Sequence, residues 1–409
     1  MKYYSPPPDK SATIRALLLA AAANGSARVE NPLCCGDTEA ALGCLEALGV
    51  RHCRDGRAII VEGRGLRGLK KPDGPLDAGE SGALARLLAG LMAGQSFPSE
   101  ITGRGTLLKR PMAPVAEALA KLGAKVRTSR GLLPLVIKPA RLKGARINGV
   151  DSAQIKSALL LAGLYAGGPI SITEKFQTRD HTERLLALMG ARIIKDGRRI
   201  RLEPGPLTAR PFEVPGDISS AAPFITAALL AGRELRVENC GLNPGRLGFT
   251  DALIKMGAKI ELSPASAFPE PAGSLTVGLS RLKAAAFRPA GIPAMIDEVP
   301  LLAVAAAAAP GVTTISGVQA LKAKESDRVA STLALLASLG VKASYSRGAL
   351  KINGVKKFRA VSPVDTFNDH RIAMAAAAAS VVCPGLEIRN PGCVDKSYPG
   401  FWRDFKKLF

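Results

Sequence analysis

Apolar and polar positions along this chain follow a pattern that occurs six times. Strongly apolar helices are predicted to start near Ser11, Ser81, Ser152, Ser219, Asp297 and Asp369, roughly 70 residues apart, a period that marks a repeat architecture. Their bodies, Ala16–Ala23, Leu84–Ala93, Leu159–Ala166, Ala221–Ala231, Leu301–Ala309 and Ile372–Ala379, carry almost no polar side chain. A helix that is apolar all round has to be buried on every side. Between them lie amphipathic helices such as Pro111–Leu122 and Thr182–Met189, the former keeping Glu117 and Lys121 for a wet face. These segments share an ending: Leu48-Gly49-Val50-Arg51, Leu122-Gly123-Ala124-Lys125, Met189-Gly190-Ala191-Arg192, Met256-Gly257-Ala258-Lys259 and Leu339-Gly340-Val341-Lys342. The sixth unit closes with the chain end, Tyr398 to Phe409.

Short strands are predicted after the helix pairs, at Ala58–Val61, Leu135–Ile137, Arg199–Leu202, Leu275–Val277 and Leu350–Ile352. Short strands separated by helices indicate an α/β protein with several small sheets. Six buried helices are too many for one core, so two groups of three are expected, with a boundary where Pro206, Pro211 and Pro215 interrupt the pattern.

The candidate chemistry sits at the starts of the apolar helices. The clusters are Lys10-Ser11 with Arg15, Gly79-Glu80-Ser81-Gly82 with Arg86, Ser152-Ala153-Gln154 with Lys156, Gly216-Asp217 with Ser219-Ser220, Asp297-Glu298, and Asn368-Asp369-His370-Arg371. A helix N-terminus exposes unpaired N–H groups and a partial positive charge, which favour an anion. Ordinary capping accounts for serine and aspartate at such positions. It does not account for Lys10, Arg15, Lys156 or Arg371, because cations are unfavourable there. A bound anion offsetting them is the simplest reading.

Composition narrows the partners. The 409 residues include 56 basic and 34 acidic side chains, a formal charge of +22. Such charge suits nucleic acid or a field focused on small anions. The cations are dispersed through the repeats and aromatics make up only 4%, which favours small anions over nucleic acid. The longest apolar runs, Val299–Ala309 and Ile372–Val382, are far short of the ~18 residues of a membrane span. Met1–Asp9 has no apolar core of a signal peptide. Seven cysteines fit neither a disulfide framework nor a paired zinc motif, so reduced thiols in a cytoplasmic protein are expected, and no metal.

Nine segments in order resemble the 3-phosphoshikimate 1-carboxyvinyltransferase (EPSP synthase) family. They are Lys10-Ser11 with Arg15, Asp77-Ala78-Gly79-Glu80-Ser81-Gly82, Lys109-Arg110-Pro111-Met112, Ser152-Ala153-Gln154, Arg179-Asp180-His181-Thr182-Glu183, Pro215-Gly216-Asp217-Ile218-Ser219-Ser220-Ala221-Ala222, Ile296-Asp297-Glu298, Lys324-Glu325-Ser326-Asp327-Arg328 and Asp369-His370-Arg371-Ile372-Ala373-Met374. The resemblance implies a two-domain inside-out α/β barrel, each domain holding three βαβαββ units. Residues 10–215 would form one domain and residues 1–9 with 216–409 the other, with the active site in the cleft between them. It implies transfer of the enolpyruvyl group of phosphoenolpyruvate to the 5-hydroxyl of shikimate 3-phosphate, in chorismate and aromatic amino acid biosynthesis. No metal or organic cofactor is implied, and the enzyme would be a cytoplasmic monomer and a glyphosate target.

Carried over residue by residue, shikimate 3-phosphate would contact Lys10, Ser11, Arg15, Ser152, Ala153, Gln154, Thr178, Arg179, Asp297 and Lys324. Phosphoenolpyruvate would contact Lys10, Gly82, Arg110, Gln154, Arg328, Arg371 and Lys396. Asp297 would take the hydroxyl proton, with Glu325 and either Lys10 or Lys324 delivering a proton to the methylene carbon. The residue types suit the task, since arginine forks bind carboxylate and phosphate bidentately.

The chain departs from the family pattern at Glu80, where asparagine is usual, and at Ala83, which replaces threonine. Thr13-Ile14 and Ala320 differ as well. A carboxylate beside the phosphoenolpyruvate phosphate would repel it, so Glu80 must turn away, meet a cation or weaken binding. Other readings stay open. A related enolpyruvyl transferase could use a different acceptor. The transferase acting on UDP-N-acetylglucosamine calls for a reactive cysteine, yet none stands between Cys53 and Cys240. An RNA-binding or RNA 3′-phosphate-processing protein would need a catalytic histidine, and His52, His181 and His370 sit in no such motif.

Overall fold

The computed structural model describes residues 1–409, and the chain divides into two compact units. The first comprises Pro8–Val214 together with Phe268–Glu270, and the second Met1–Pro7, Pro215–Ala267 and Pro271–Phe409. The main crossing falls between Val214 and Pro215.

The apolar stretches form six inner helices: Lys10–Ala22, Gly82–Ala93, Ala153–Gly163, Ile218–Ala231, Val299–Ala307 and His370–Ser380. Their bodies are buried throughout, and each triplet lies within the apolar core of its own unit. The alanine-rich sequences matter because small side chains let helix backbones approach closely. Gly90 shows this in the first unit, where an added Cβ would collide with the backbone of Ala158 on the neighbouring inner helix.

Sheets flank the helices and repeat one plan. In the first, Asn24–Glu30 pairs parallel with Phe212–Glu213 and antiparallel with Ala58–Arg64, which pairs antiparallel with His52–Asp55. The same order of one parallel and two antiparallel pairings recurs in two more four-stranded sheets of the first unit and two of the second. The sixth repeat is reduced. It keeps a two-stranded sheet, Val364–Asp365 with Ile388–Arg389, and ends in the helix Phe401–Leu408 instead of a hairpin. Phe401 and Phe405 of that helix pack with Phe224, on which Tyr4 stacks at 4.0 Å between ring centroids. Strand Lys2–Tyr4 pairs parallel with Leu235–Val237, so the chain start belongs to the second unit.

The repeated ending has a backbone cause. Gly49, Gly123, Gly190, Gly257 and Gly340 all have φ between +72° and +93°. The residue after each donates its N–H five positions back, as Val50 does to Leu45 and Ala258 to Leu253, both at 2.9 Å. That is the helix stop a left-handed glycine permits.

Candidate active site

In the first unit the predicted residues gather at the N-termini of the inner helices. Asp9 caps the first, accepting from Ala12 N at 2.8 Å. Lys10 follows, and its Nζ lies 2.9 Å from Asp37, a buried carboxylate that carried no sequence signal. Arg15 is buried, yet its guanidinium is ordered by hydroxyls and a carbonyl: Nε donates to Thr182 Oγ1 at 2.9 Å, Nη1 to Ser11 O at 2.9 Å and Ser11 Oγ at 2.5 Å, and Nη2 to Ser157 Oγ at 3.2 Å. Ser81 and Ser152 cap the second and third inner helices through longer bonds, 3.3 Å to Leu84 N and 3.4 Å to Ile155 N. Ala153 and Gln154 lie half-buried on the first turn of the third. Gln154 Oε1 accepts from Arg86 Nη1 at 2.8 Å, a pairing not visible in the sequence. Arg86 also donates to Gly82 O at 3.0 Å and Pro111 O at 2.8 Å.

Gly82 stands where a side chain has no room. A Cβ there would fall 2.6 Å from Cζ of the buried Arg110 and 2.7 Å from Arg86 Nη1. Glu80 turns toward the short helix Gly105–Lys109, its Oε2 accepting from Thr106 Oγ1 at 2.9 Å and from Thr106 N at 3.4 Å. Thr178 is buried with its hydroxyl on Glu174, and Arg179 next to it is half-buried.

One expectation is overturned. Lys156, expected among the cations that await an anion, is fully buried between Glu174 and Glu183, at 2.8 and 2.7 Å. Two carboxylates already compensate its charge, so no anion is needed to offset it.

The second unit presents a different electrostatic design. Arg328, at 1% exposure, lies among three carboxylates: Asp369 Oδ2 at 2.8 Å from Nε, Asp297 Oδ1 at 3.1 Å from Nη1, and Glu325 Oε2 at 2.7 Å from Nη2. Burial opposes the guanidinium charge, but Asp369, Glu325 and Asp297 outweigh it and raise its pKa. Burial likewise pushes the Asp369 carboxyl up, whereas Arg328 and His370 pull it, on balance, below the usual range. The Glu325–Arg328 contact is thus an i, i+3 ion pair, as plain helical pairing would have it, but one knitted into a larger cluster. Lys324 Nζ joins at 3.3 Å from Asp297 Oδ1. Asp369 caps the sixth inner helix through Arg371 N at 2.9 Å, and Arg371 Nη1 donates to Ser219 O at 2.9 Å. Arg246, missed in the sequence, binds Asp217 Oδ1 at 2.5 Å and Ser219 Oγ at 2.7 Å, while Ser219 Oγ donates to Glu298. Lys396 closes the short helix Pro391–Lys396, half-buried.

Chemically, one lysine and one arginine, Lys324 and Arg328, share an oxygen of the half-buried Asp297 in the second unit, and the first unit gathers Lys10, Arg15, Arg86 and Arg110 at its helix starts. Such a set can hold a phosphate and a carboxylate while one acid–base group acts nearby.

Comparison with known proteins identifies the group. The model of the EPSP synthase (3-phosphoshikimate 1-carboxyvinyltransferase) family matches residues 4–405. The chain belongs to the EPSP synthase family. Relatives named 3-phosphoshikimate 1-carboxyvinyltransferase include one from Thermus thermophilus, 44% identical over 98% of this chain and 95% of its own length. Another, from Desulforudis audaxviator, is 42% identical over 97% of this chain and 94% of its own. The structure of EPSP synthase from Acinetobacter baumannii superimposes with a TM-score of 0.85 at 34% identity, covering 99% of this chain and 95% of that one. The enolpyruvyl transferase NikO from Streptomyces tendae shares the fold, with a TM-score of 0.78 at 18% identity over 100% of this chain and 94% of its own. Against this family background the turned-away Glu80 leaves the cradle around Gly82 to Arg110 and Arg86.

Proposed function

We propose that this chain transfers the enolpyruvyl group of phosphoenolpyruvate to the 5-hydroxyl of shikimate 3-phosphate, giving 5-enolpyruvylshikimate 3-phosphate and phosphate. The observation that carries the reading is Asp297 held by Lys324 and Arg328, a carboxylate fixed among cations at the start of an inner-helix segment. Asp297 takes the proton of the attacking hydroxyl as its oxygen bonds to C2 of phosphoenolpyruvate. Glu325 or a lysine, Lys10 or Lys324, gives a proton to the methylene carbon. Breaking the C–O bond to phosphate then restores the double bond, the methyl group returns its proton, and Arg110, Arg328 and Arg371 stabilise the departing anion.

Ser11, Arg15, Ser152, Ala153, Gln154, Thr178 and Arg179 hold the phosphorylated acceptor together with Lys10, Lys324 and Asp297. Gly82, Lys396 and Gln154 complete the contacts to phosphoenolpyruvate. Residues of both units thus act on one pair of substrates. The protein works as a cytoplasmic monomer on small anions, with neither nucleic acid nor membrane as partner; its dispersed basic charge supports this, and no helix is long and apolar enough to cross a membrane.

The test is phosphate release from phosphoenolpyruvate with and without shikimate 3-phosphate. Release that depends on both is the expected result. Release independent of shikimate 3-phosphate, or none at millimolar levels of both, overturns the reading.

A further inference from the structure

Beneath the first unit's cluster lies a buried ion triad that none of the proposed roles uses. Lys156 stands on the third inner helix, its side chain fully buried. Its Nζ donates to Glu174 Oε1 at 2.8 Å and makes an ionic contact of 2.7 Å with Glu183 Oε1, off the direction of a hydrogen bond. Glu174 ends the strand Ile170–Glu174, and Glu183 lies on the helix His181–Leu188. Glu174 Oε1 also accepts from Thr178 N at 3.0 Å and Thr178 Oγ1 at 2.5 Å, which folds the turn between them. Beside Glu183, the hydroxyl of Thr182 receives Arg15 Nε at 2.9 Å and pairs with Ser157 Oγ at 2.7 Å.

Stability alone gives no reason for this arrangement. A buried ion cluster is commonly no better than apolar residues of equal volume, and here Glu174 Oε2 and both Glu183 oxygens take no hydrogen bond. What an ammonium adds is direction. One charge fixes three segments to each other: the helix start bearing Ser152, Ala153 and Gln154, the turn bearing Thr178 and Arg179, and the helix whose Thr182 orders Arg15. Those segments carry the first unit's contacts to the acceptor apart from Lys10, Ser11 and Arg15, and Thr182 on the last of them orders Arg15.

We infer that Lys156 is a positioning residue for the phosphorylated acceptor, acting through Glu174 on the Thr178–Arg179 turn and through Glu183 on Arg15. The inference rests on the function proposed above. It requires that the triad govern affinity for shikimate 3-phosphate more than affinity for phosphoenolpyruvate, which among the residues on these segments only Gln154 also contacts.

The test uses the full chain. Lys156→Met alone would strand two buried carboxylates, so the working variant is Lys156→Met/Glu174→Gln/Glu183→Gln, which keeps shape and leaves no uncompensated charge. KM for shikimate 3-phosphate is expected to rise about tenfold and KM for phosphoenolpyruvate clearly less, by about threefold at most through Gln154. The Thr178 amide should exchange its hydrogen at least about tenfold faster, with the core amides of Leu159–Leu161 still protected. Should the triple variant not fold, Glu183→Leu leaves a neutral Lys156–Glu174 pair and removes only the leg to Arg15; the same KM split is expected, with the Thr178 amide unchanged. A folded variant with unchanged KM for shikimate 3-phosphate overturns the inference, as does an equal rise in both KM values. Absence of turnover in the parent protein would instead overturn the proposed function, while amide exchange and calorimetric binding of shikimate 3-phosphate still read what Lys156 holds.

Discussion

Replacing Gly82 with alanine tests the geometry around Arg110 most directly. The new Cβ would lie 2.6 Å from Arg110 Cζ and 2.7 Å from both Arg110 Nη1 and Arg86 Nη1. Carbon contacts settle near 3.5–4.0 Å, so a guanidinium must retreat by about 1 Å. The Cβ meets both guanidiniums, so Arg110 and Arg86, the latter held by Gly82 O, Gln154 Oε1 and Pro111 O, both have to shift. A displacement of that size spoils one charge-assisted hydrogen bond to a bound anion, about 1.5–3 kcal/mol. KM for phosphoenolpyruvate should therefore rise about tenfold to a hundredfold, with KM for shikimate 3-phosphate much less affected. Gly82 is the first residue of a helix, and the shift that alanine forces on two guanidiniums should lower Tm only modestly. Phosphate-release kinetics over both substrates, with Tm measured in parallel, decide the matter. A KM for phosphoenolpyruvate within twofold of the parent, at unchanged Tm, would refute the assignment of Arg110.

Asp297→Asn should lower kcat by roughly 10²–10⁴ while shikimate 3-phosphate binding stays within about tenfold by calorimetry, because an amide cannot take the hydroxyl proton; retention of a tenth of kcat would rule the base out. Asp369 has a depressed folded pKa, so its contribution to stability is present above the unfolded value near 4 and is lost as pH falls through the lower folded value. Arg328→Met should cost about 3–5 kcal/mol near neutrality by stranding Asp297, Glu325 and Asp369, and its Tm deficit should shrink below pH 5 as they protonate; a deficit independent of pH contradicts this. Glu80→Asn should raise KM for phosphoenolpyruvate by loosening the Thr106 contact; a lower KM would restore the view that Glu80 repels the substrate.

The repeat was legible because burial writes itself into composition. A helix such as Ala373–Ala379, with no polar side chain, can be stable only inside, and five left-handed glycines announced where the outer helices stop. The reduced sixth sheet was harder to see, since Phe401 and Phe405 read equally well as a strand or as a helix face. The candidate site was legible in residue types but not in pairings. Lys156 and Arg15 look alike in sequence, each a cation shortly after a serine, yet one is enclosed by Glu174 and Glu183 and the other by hydroxyls. Ser11 apart, those partners lie 18 to 167 residues away along the chain, beyond any local pattern. Asp37 and Arg246 escaped for the same reason.

The caps of the inner helices refine how the chain attracts anions. A carboxylate cap already compensates the positive end of a helix, whereas a serine cap leaves most of that charge for a ligand. In the second unit, Asp217 and Asp369 cap the fourth and sixth inner helices at 2.9 Å. In the first, serines cap the second and third through bonds of 3.3 and 3.4 Å. Those two ends, beside Arg110 and Gln154, lack the carboxylate cap that Asp9 gives the first inner helix, so more of their positive end is left for an anion. In the second unit, Arg328 is engaged by three carboxylates. An anion that draws on Arg328 competes with Asp297, Glu325 and Asp369 for the same N–H groups. Binding at that unit thus shifts partners within an existing cluster, and Asp297, one of the displaced partners, is the residue assigned to take the proton. Lys324, 3.3 Å from the same oxygen, would still hold Asp297 when Arg328 turns to the anion.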